Sequence, residues 1–325
     1  MIGIWRMNVE MSEVGSYLKI NYALRPAKNI ERKMIAEACG RLSVFCRVCS
    51  YRYIGFGSTF YSDFTLFHRV LGCTPMFSIQ KNLGDQERFN FNVPLGCVTN
   101  QFGESSDVLP KFPWEGIPTI VWLDYDEKMD VSKLDDIGYL TGVLHPSSVL
   151  IVTVRSKGED FGDQPPKRLD NLREELRDKL PQEVSLSDVV NDRFHNVMWR
   201  LIDATVNDVL ARRNSVTPLQ QRIKFEQIFY FTYADTTPMM TVGGLFVKEE
   251  QHEAFSHCDF QSLDFYKSGA DAYNIYVPSL TYREQRHLDR QLPGTVAKAP
   301  GVPTEDLEAY AKLYRYFPYF VEAEL

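Results

Sequence analysis

Five short runs of apolar and β-branched residues constrain the fold of this chain most strongly. They alternate little or not at all with polar residues, which is typical of strands that are buried on both faces. Segments with helical spacing or turn residues separate them, so we expect a parallel sheet in a doubly wound α/β fold. The five predicted strands are residues 51–55, 76–80, 97–102, 118–123 and 149–154.

The periodicity of apolar residues predicts helices between and after these strands. The first has an apolar stripe at every fourth residue from Ile30 to Leu42, and we expect Glu31, Arg32 and Lys33 to lie on its outer side. Thr217 followed by Pro218 is typical of a helix start. The predicted helices before that point are residues 27–45, 60–71, 132–144, 169–180 and 188–212.

Two long aromatic and β-branched runs, residues 225–233 and 239–247, are separated by only five residues and predict an antiparallel hairpin. The sequence therefore predicts a Rossmann-like, mostly parallel, seven-stranded sheet that ends in this hairpin. We divide the chain into an N-terminal helical cap (1–44), the sheet domain (45–250) and a small helical, aromatic-rich extension (251–325). The aromatic residues near 314–320 favour a core, although a contact surface for a partner protein is the alternative.

Composition excludes some classes of function. The 325 residues carry a net charge of −7, which argues against coating nucleic acid by bulk charge. No apolar stretch approaches the ~20 residues that span a bilayer, and the first residues do not resemble a secretory signal. Six cysteines include a Cys46–Cys49 pair, for which buried reduced thiols are favoured over a redox pair. We therefore expect a cytoplasmic protein.

Polar and glycine residues gather where the predicted strands end. Because the carboxyl ends of parallel strands meet at one edge of a sheet, we expect these residues to converge on a ligand pocket. A glycine turn before a helix also leaves backbone N–H groups for an anionic or nucleotide-type ligand. The converging residues are Gly55, Phe56, Gly57 and Ser58, then Gln80, then Gly103, Glu104 and Ser105, and finally Asp124, Tyr125 and Asp126.

With these features in view, residues 45–250 resemble the class I S-adenosylmethionine-dependent methyltransferases, and parts of the chain resemble a bacterial group of O-methyltransferases. Gly55 and Gly57 match two glycines of that family's motif I, and Gly103–Ser105 resembles its adenine-contacting turn. The resemblance implies S-adenosylmethionine as cofactor. The cofactor-binding residues that it implies are Gly55, Phe56, Gly57, Ser58, Gln80, Glu104 and Ser105.

Motif I departs from the family pattern at three positions. Tyr53 stands where the family usually has an acidic residue, Thr59 stands at the third glycine, and Gln80 replaces the acid that holds the ribose hydroxyls. An amide can still bond a hydroxyl, but without the charge-assisted strength of a carboxylate. A degenerate, inactive site is therefore the main alternative to a working enzyme.

The resemblance also places Asp124 and Asp126 where catalytic or substrate-contacting groups emerge. Asp126 could be the base or a metal ligand and Asp124 could face the cofactor, or either could merely be an N-cap or turn residue. Arg25 and Lys28 could bind an acidic substrate together with Tyr125, or could be part of a solvated helix face. A metal site is not predicted, because no sequence pattern places His145 or Asp235 near these carboxylates.

These observations predict a methyltransferase that uses S-adenosylmethionine, with an oxygen acceptor preferred and otherwise unspecified. The alternative is a catalytically inactive, Rossmann-like subunit of a bacterial multi-protein system that binds a nucleotide or a partner. A nicotinamide-dependent oxidoreductase is disfavoured by the hairpin and by the lack of a full GxGxxG.

Overall fold

A computed structural model describes residues 25–190, 193–294 and 298–318. Its centre is an eight-stranded sheet with the strand order β3-β2-β1-β4-β5-β7-β6-β8. The pairs among β1 to β5 are parallel, whereas β7 runs antiparallel to both β5 and β6. The strands are β1 (Arg52–Phe56), β2 (Met76–Gln80), β3 (Val98–Phe102), β4 (Thr119–Lys128), β5 (Val149–Arg155), β6 (Ile223–Ala234), β7 (Pro238–Lys248) and β8 (Tyr273–Ile275).

Helices cover both faces of this sheet. Two hydrophobic clusters result, one on each face: Ile30, Phe64 and Phe89 belong to the first, and Leu134 and Leu201 to the second. Within the described ranges, no helix is long and apolar enough to cross a membrane. The α-helices are α1 (Pro26–Gly40), α2 (Ser62–Leu71), α3 (Gln86–Phe91), α4 (Ser105–Val108), α5 (Val131–Val143), α6 (Pro165–Leu176), α7 (Phe194–Asn214), α8 (His252–His257), α9 (Tyr282–Asp289) and α10 (Thr304–Leu313).

The doubly wound sheet and its antiparallel hairpin confirm the predicted fold class. Strand β5 shows why the prediction worked, since every residue from Val149 to Val154 is buried and the whole run is therefore apolar or a small hydroxyl residue. The chain winds in opposite directions from β1 and from β4, and these two strands are neighbours. A crevice for ligands is expected where the winding reverses.

The structure differs from the prediction in its number of strands. An eighth strand, β8, pairs with β6 through Tyr273, Asn274 and Ile275, so the extension after residue 250 contributes to the sheet as well as adding helices. Three residues are too few to produce a recognisable period in the sequence. The proposed boundaries at 44 and 250 stay a prediction.

The helix start predicted at Thr217–Pro218 is wrong. Pro218 has φ −56° and ψ 146°, an extended conformation, and only a short 3-10 turn at Leu219–Gln221 follows it. By contrast, the capping box of Thr281 and Glu284 at the start of α9 is present. The described aromatics of the C-terminal segment pack inward, with Tyr316 and Phe317 in the first hydrophobic cluster, while residues 319–325 lie outside the described residues.

Two glycines of β7 make room for aromatic rings of β6. A Cβ built on Gly243 would lie 2.2 Å from ring carbons of Phe229, and one on Gly244 would lie 2.6 Å from Cζ of Phe225. Phenylalanine rings thus cover the glycine backbone across the strand pair, and the antiparallel register depends on this fit.

We predict that Gly243→Ala destabilises the protein by about 1–3 kcal/mol, because the buried Phe229 ring would have to leave its place. Gly138→Ala in α5 is the matched control. Its Cβ would meet Val209 and Thr205 at ordinary distances of 3.6 and 3.7 Å, so it should be neutral or should stabilise the helix by up to about 1 kcal/mol. Urea unfolding of both variants measures this, and equal stabilities would contradict the prediction.

Candidate functional site

The candidate site lies where β1 ends beside β4, which continues beyond it to Lys128. Strand β1 ends at Phe56, and Gly57 and Ser58 turn the chain towards α2. The Phe56 ring contacts the Tyr125 ring of β4, with centroids 5.0 Å apart. These two rings form an apolar wall at the reversal of winding, close to the ends of both strands.

Gly55 lies within β1 and not in the turn. A Cβ at Gly55 would come within 2.7 Å of Oη of Tyr53, two residues earlier on the same face of the strand. The Tyr53 hydroxyl crosses this space and donates a hydrogen bond to Asp63 Oδ2 in the first turn of α2. Burial raises the pKa of Asp63, and the positive charge of Arg32 opposes that rise. Tyr53 stands at the position of the motif I acid, and the carboxyl group of Asp63 lies next to it.

Gly57 makes room for side chains of the neighbouring strand β2. A Cβ at Gly57 would lie 2.0 Å from Nε2 of Gln80 and 2.1 Å from Oγ of Ser78. The amide of Gln80 donates to this hydroxyl at 2.6 Å, and both side chains are buried. Gln80, the residue at the ribose position, thus lies directly against the glycine turn, and the structure brings these two predicted residues together.

Asp124 forms the centre of a buried charged cluster. Its Oδ1 accepts a hydrogen bond from Nζ of Lys28 at 2.6 Å. The same ammonium group forms an ion pair with Oε2 of Glu31 at 2.8 Å and bonds Oη of Tyr233 at 3.1 Å. It also lies 4.6 Å from the centre of the Trp122 ring. The ammonium group of Lys28 thus makes two hydrogen bonds and two ion pairs, and its side chain is only 5% exposed whereas that of Asp124 is 27% exposed.

The expectation that Glu31 and Arg32 lie on the outer side of the first helix is wrong. Both side chains are buried, because α1 is covered by the sheet on one side and by the C-terminal segment on another: Nζ of Lys33 donates to the carbonyls of Tyr316 and Phe317. Burial raises the pKa of Glu31, and the charge of Lys28 opposes that rise.

Asp235 fixes the position of α1. Its two carboxylate oxygens accept hydrogen bonds from the backbone N–H groups of Ala27 (2.9 Å) and Lys28 (3.1 Å). The free N–H groups of a helix start normally need such an acceptor, and here it comes from the loop of the β6–β7 hairpin. Asp235 is thus a helix cap that holds Lys28 over Asp124.

A second acidic cluster lies at the end of β3. Ser105 Oγ and Tyr125 Oη both donate hydrogen bonds to Oδ2 of Asp136, the latter at 2.8 Å. Burial raises the pKa of Asp136, and these two bonds oppose that rise. Glu104 is exposed and lies 3.8 Å from Nζ of Lys81. The predicted residues Ser105 and Tyr125 are therefore brought together by an acid that the sequence analysis did not identify.

Asp126 and Asp124 do not act as a pair. The register between β4 and β5 is irregular from Asp124 to Lys128. Asp126 is exposed, and its backbone carbonyl accepts a hydrogen bond from Nη2 of Arg155 at 2.7 Å. Arg25 directly precedes α1 and is half-buried. No three His, Cys, Asp or Glu side chains in the described parts of the chain are grouped so that they could hold a metal ion.

The Cys46–Cys49 pair lies outside this site, and it is less buried than expected. Cys46 is partly exposed and Cys49 is exposed, although Cys39, Cys73 and Cys258 are buried. All six cysteines are free thiols. Burial raises the pKa of Cys258 to about 11, so this thiol is protonated and inert at neutral pH.

Comparison with known proteins gives one match over nearly the whole chain. Residues 20–325 match the model of a family described as "Putative O-methyltransferase". No curated protein matches the sequence.

Several solved structures of low sequence identity are also similar. The O-methyltransferase TomG from Streptomyces achromogenes, in complex with SAM, is 15% identical, with a TM-score of 0.36 over 70% of this chain and 91% of that chain. Fibrillarin, a pre-rRNA processing protein of Methanococcus jannaschii, is 6% identical, with a TM-score of 0.35 over 62% and 69% of the two chains. The assignment therefore rests on the family match and on the sheet itself.

The buried cluster predicts a pH-dependent effect of Lys28→Met. Without Lys28, Glu31 and Asp124 lose their counter-ion, and we expect a loss of about 3–5 kcal/mol at pH 8. Removing the cation raises the pKa of Glu31 further, so the folded state binds a proton that the unfolded state releases above about pH 4.3. The variant should therefore lose stability as the pH rises, and the loss should be smaller at pH 5 in urea unfolding.

Lys179→Met is the matched control, because Lys179 forms a partly exposed ion pair with Asp135 at 3.1 Å. Its loss should be below about 1 kcal/mol at both pH values. Equal losses at pH 5 and pH 8 for Lys28→Met would contradict the charged cluster.

Gly57→Ala tests the contact with β2. The new methyl group would displace the Gln80 amide from Ser78, and we expect a loss of about 1–3 kcal/mol in urea unfolding. In a Ser78→Ala, Gln80→Ala background the same change should cost much less. Gly96→Ala, whose Cβ would meet nothing within 4 Å, is the control. A loss for Gly57→Ala no greater than that of Gly96→Ala would refute the contact.

Proposed function

This chain belongs to the family described as "Putative O-methyltransferase", and from this premise we propose that it transfers a methyl group from S-adenosylmethionine to an oxygen atom of an acceptor. The observation that supports the proposal most is the position of Asp124. Asp124 lies on β4 just beyond the residues that pair with β1, its carboxylate is partly exposed, and a buried lysine holds it.

The residues around the crevice fit such a cofactor in their chemistry. S-adenosylmethionine supplies a methyl group on a positively charged sulfur, and acidic groups are carried by α2 (Asp63), by the turn after β3 (Glu104), by β4 (Asp124) and by α5 (Asp136). We assign the methionine part to the turn at Phe56, Gly57 and Ser58, with Gly55 supporting it from within β1. We assign the ribose to Gln80 and the adenine to the turn at Glu104 and Ser105.

Asp124 is the proposed general base. A hydroxyl group of the acceptor would donate its proton to this carboxylate, and S-adenosylmethionine, when bound, would supply the methyl group and leave as S-adenosylhomocysteine. General-base catalysis of this kind typically contributes about 10²–10⁴-fold. The hydrogen bond from Lys28 fixes the direction of the carboxylate. We therefore assign Lys28 to positioning Asp124, since its ammonium group is already held within the protein by Asp124, Tyr233 and Glu31.

The acceptor would lie against the apolar wall of Phe56 and Tyr125, and Arg25 remains our candidate for an acidic group on it. The family match does not support the alternative of an inactive binding subunit. A cytoplasmic location, and a partner protein that contacts the aromatic C-terminal extension, stay predictions of the sequence.

Calorimetric titration with S-adenosylmethionine and S-adenosylhomocysteine tests cofactor binding, and no heat at millimolar ligand would refute the proposal. With an acceptor found by screening phenols, carboxylic acids and other hydroxyl compounds, Asp124→Asn should lower kcat by about 10²–10⁴-fold. Its affinity for S-adenosylhomocysteine should remain close to that of the wild type.

Asp126→Asn is the matched control, since Asp126 is exposed and two residues further along the same strand. It should retain nearly full activity. If Asp126→Asn loses activity and Asp124→Asn keeps it, the assignment of the base is wrong. Unfolding curves of both variants show whether a loss comes from the chemistry or from the broken contact with Lys28.

A further inference from the structure

A separate cleft of 430 Å³ lies at the opposite end of the central strands. It is lined by Arg52 at the start of β1 and by Pro75 just before β2, and on the β3 side it extends to Gln101 and Val108. Phe77, Val108 and Phe112 supply apolar walls. Its volume and its mixture of apolar walls with a few polar groups are typical of small-molecule sites, which range from roughly 300 to 1,000 Å³.

Arg52 is the unusual feature of this cleft, because it is a buried cation that forms no ion pair with any residue the structure describes. It is only 3% exposed. Its Nε donates to Oγ1 of Thr119 at 3.1 Å and its Nη1 donates to the carbonyl of Pro113 at 2.8 Å. Its Nη2 is buried and has no hydrogen-bond partner in the described chain. Burial lowers the pKa of Arg52 only to about 10, so the group is still charged at neutral pH.

The surroundings of the guanidinium are aromatic. Its central carbon lies 4.9 Å from the centre of the Trp114 ring and 5.7 Å from that of Phe112. These rings offer partial compensation for the charge, but they leave the two N–H bonds of Nη2 unsatisfied. A buried charge that lacks an ion pair is costly unless another group supplies one.

Two further polar side chains line the same cleft. Gln101 of β3 and Lys111 both border it, and within the described ranges neither side chain has a hydrogen bond or an ion pair with another residue. Lys111 is exposed and adds a second positive charge near Arg52. The cleft thus combines apolar walls with two cations and one amide.

We propose that this cleft binds a small carboxylate attached to an apolar or aromatic body. The carboxylate would lie beside the guanidinium of Arg52 and approach Lys111, while the body would lie against the Phe77 and Phe112 rings, which contact each other with centroids 5.1 Å apart. An anion fits better than a neutral carbonyl, because it supplies the missing charge as well as the missing acceptor. A carboxylate fits better than a phosphate, because most of the walls are apolar. The proposal does not depend on the methyltransferase function.

Titration calorimetry of the full chain with 3-phenylpropanoate, and with 3-phenylpropanamide as its neutral counterpart, tests this site. We expect the carboxylate to bind and the amide to bind at least about tenfold more weakly. Arg52→Met should reduce the affinity for the carboxylate by about tenfold or more, and Lys111→Met by about threefold. Lys179→Met, which removes a charge that does not line the cleft, should change nothing.

Arg52 also joins Thr119 to Pro113, so Arg52→Met could fail to fold. In that case Lys111→Met and the comparison of carboxylate with amide decide the matter. The proposal is overturned if the carboxylate does not bind at millimolar concentration, if the amide binds equally well, or if folded Arg52→Met and Lys111→Met both bind like the wild type. Displacement of 3-phenylpropanoate by an equal concentration of inorganic phosphate would show that the ligand class is wrong.

Discussion

The ammonium group of Lys28 is the contact on which the arrangement of the candidate site depends. It joins Glu31 of the same helix, Asp124 of β4 and Tyr233 of β6, and therefore connects the N-terminal helix, the centre of the sheet and the hairpin. A buried ion pair contributes little net stability, but breaking it leaves a buried charge uncompensated. The cluster thus acts mainly to specify where α1 lies, and α1 in turn fixes the carboxylate of Asp124.

A chain of hydroxyl and indole groups supports this cluster from within the sheet. Nε1 of Trp122 donates to Oγ1 of Thr153 at 3.0 Å, this hydroxyl lies 2.7 Å from that of Thr241, and Thr241 bonds Glu31. Hydrogen bonds between such buried polar groups hold their side chains in fixed orientations. The neighbours of Asp124 are therefore fixed from within the sheet, at the point where the pairing of β4 with β5 becomes irregular.

The sequence predicted the fold well because buried parallel strands must be apolar throughout, and β5 shows this most clearly. It failed where a contact joins distant parts of the chain. Glu31 looks like an outer-face residue by periodicity, yet its partners include Thr241, 210 residues away. Asp235 accepts a hydrogen bond from the first turn of a helix at Ala27, 208 residues earlier. Local periodicity predicts which side chains share one face of a helix, but it does not predict how many other elements pack against that helix.

Motif I shows the same limit at the site itself. When the sequence is compared with the motif position by position, Tyr53 stands where the motif has an acid. In space, however, the hydroxyl of Tyr53 reaches Asp63 of α2, so an acidic side chain is still present beside β1. Gly57 is likewise required by the side chains of Ser78 and Gln80, whatever ligand the turn holds. A motif has a glycine where there is no room for a side chain and an acid where a negative charge is needed. A residue from elsewhere in the fold can supply that charge. A sequence that departs from a motif is therefore weak evidence against the chemistry that the motif serves.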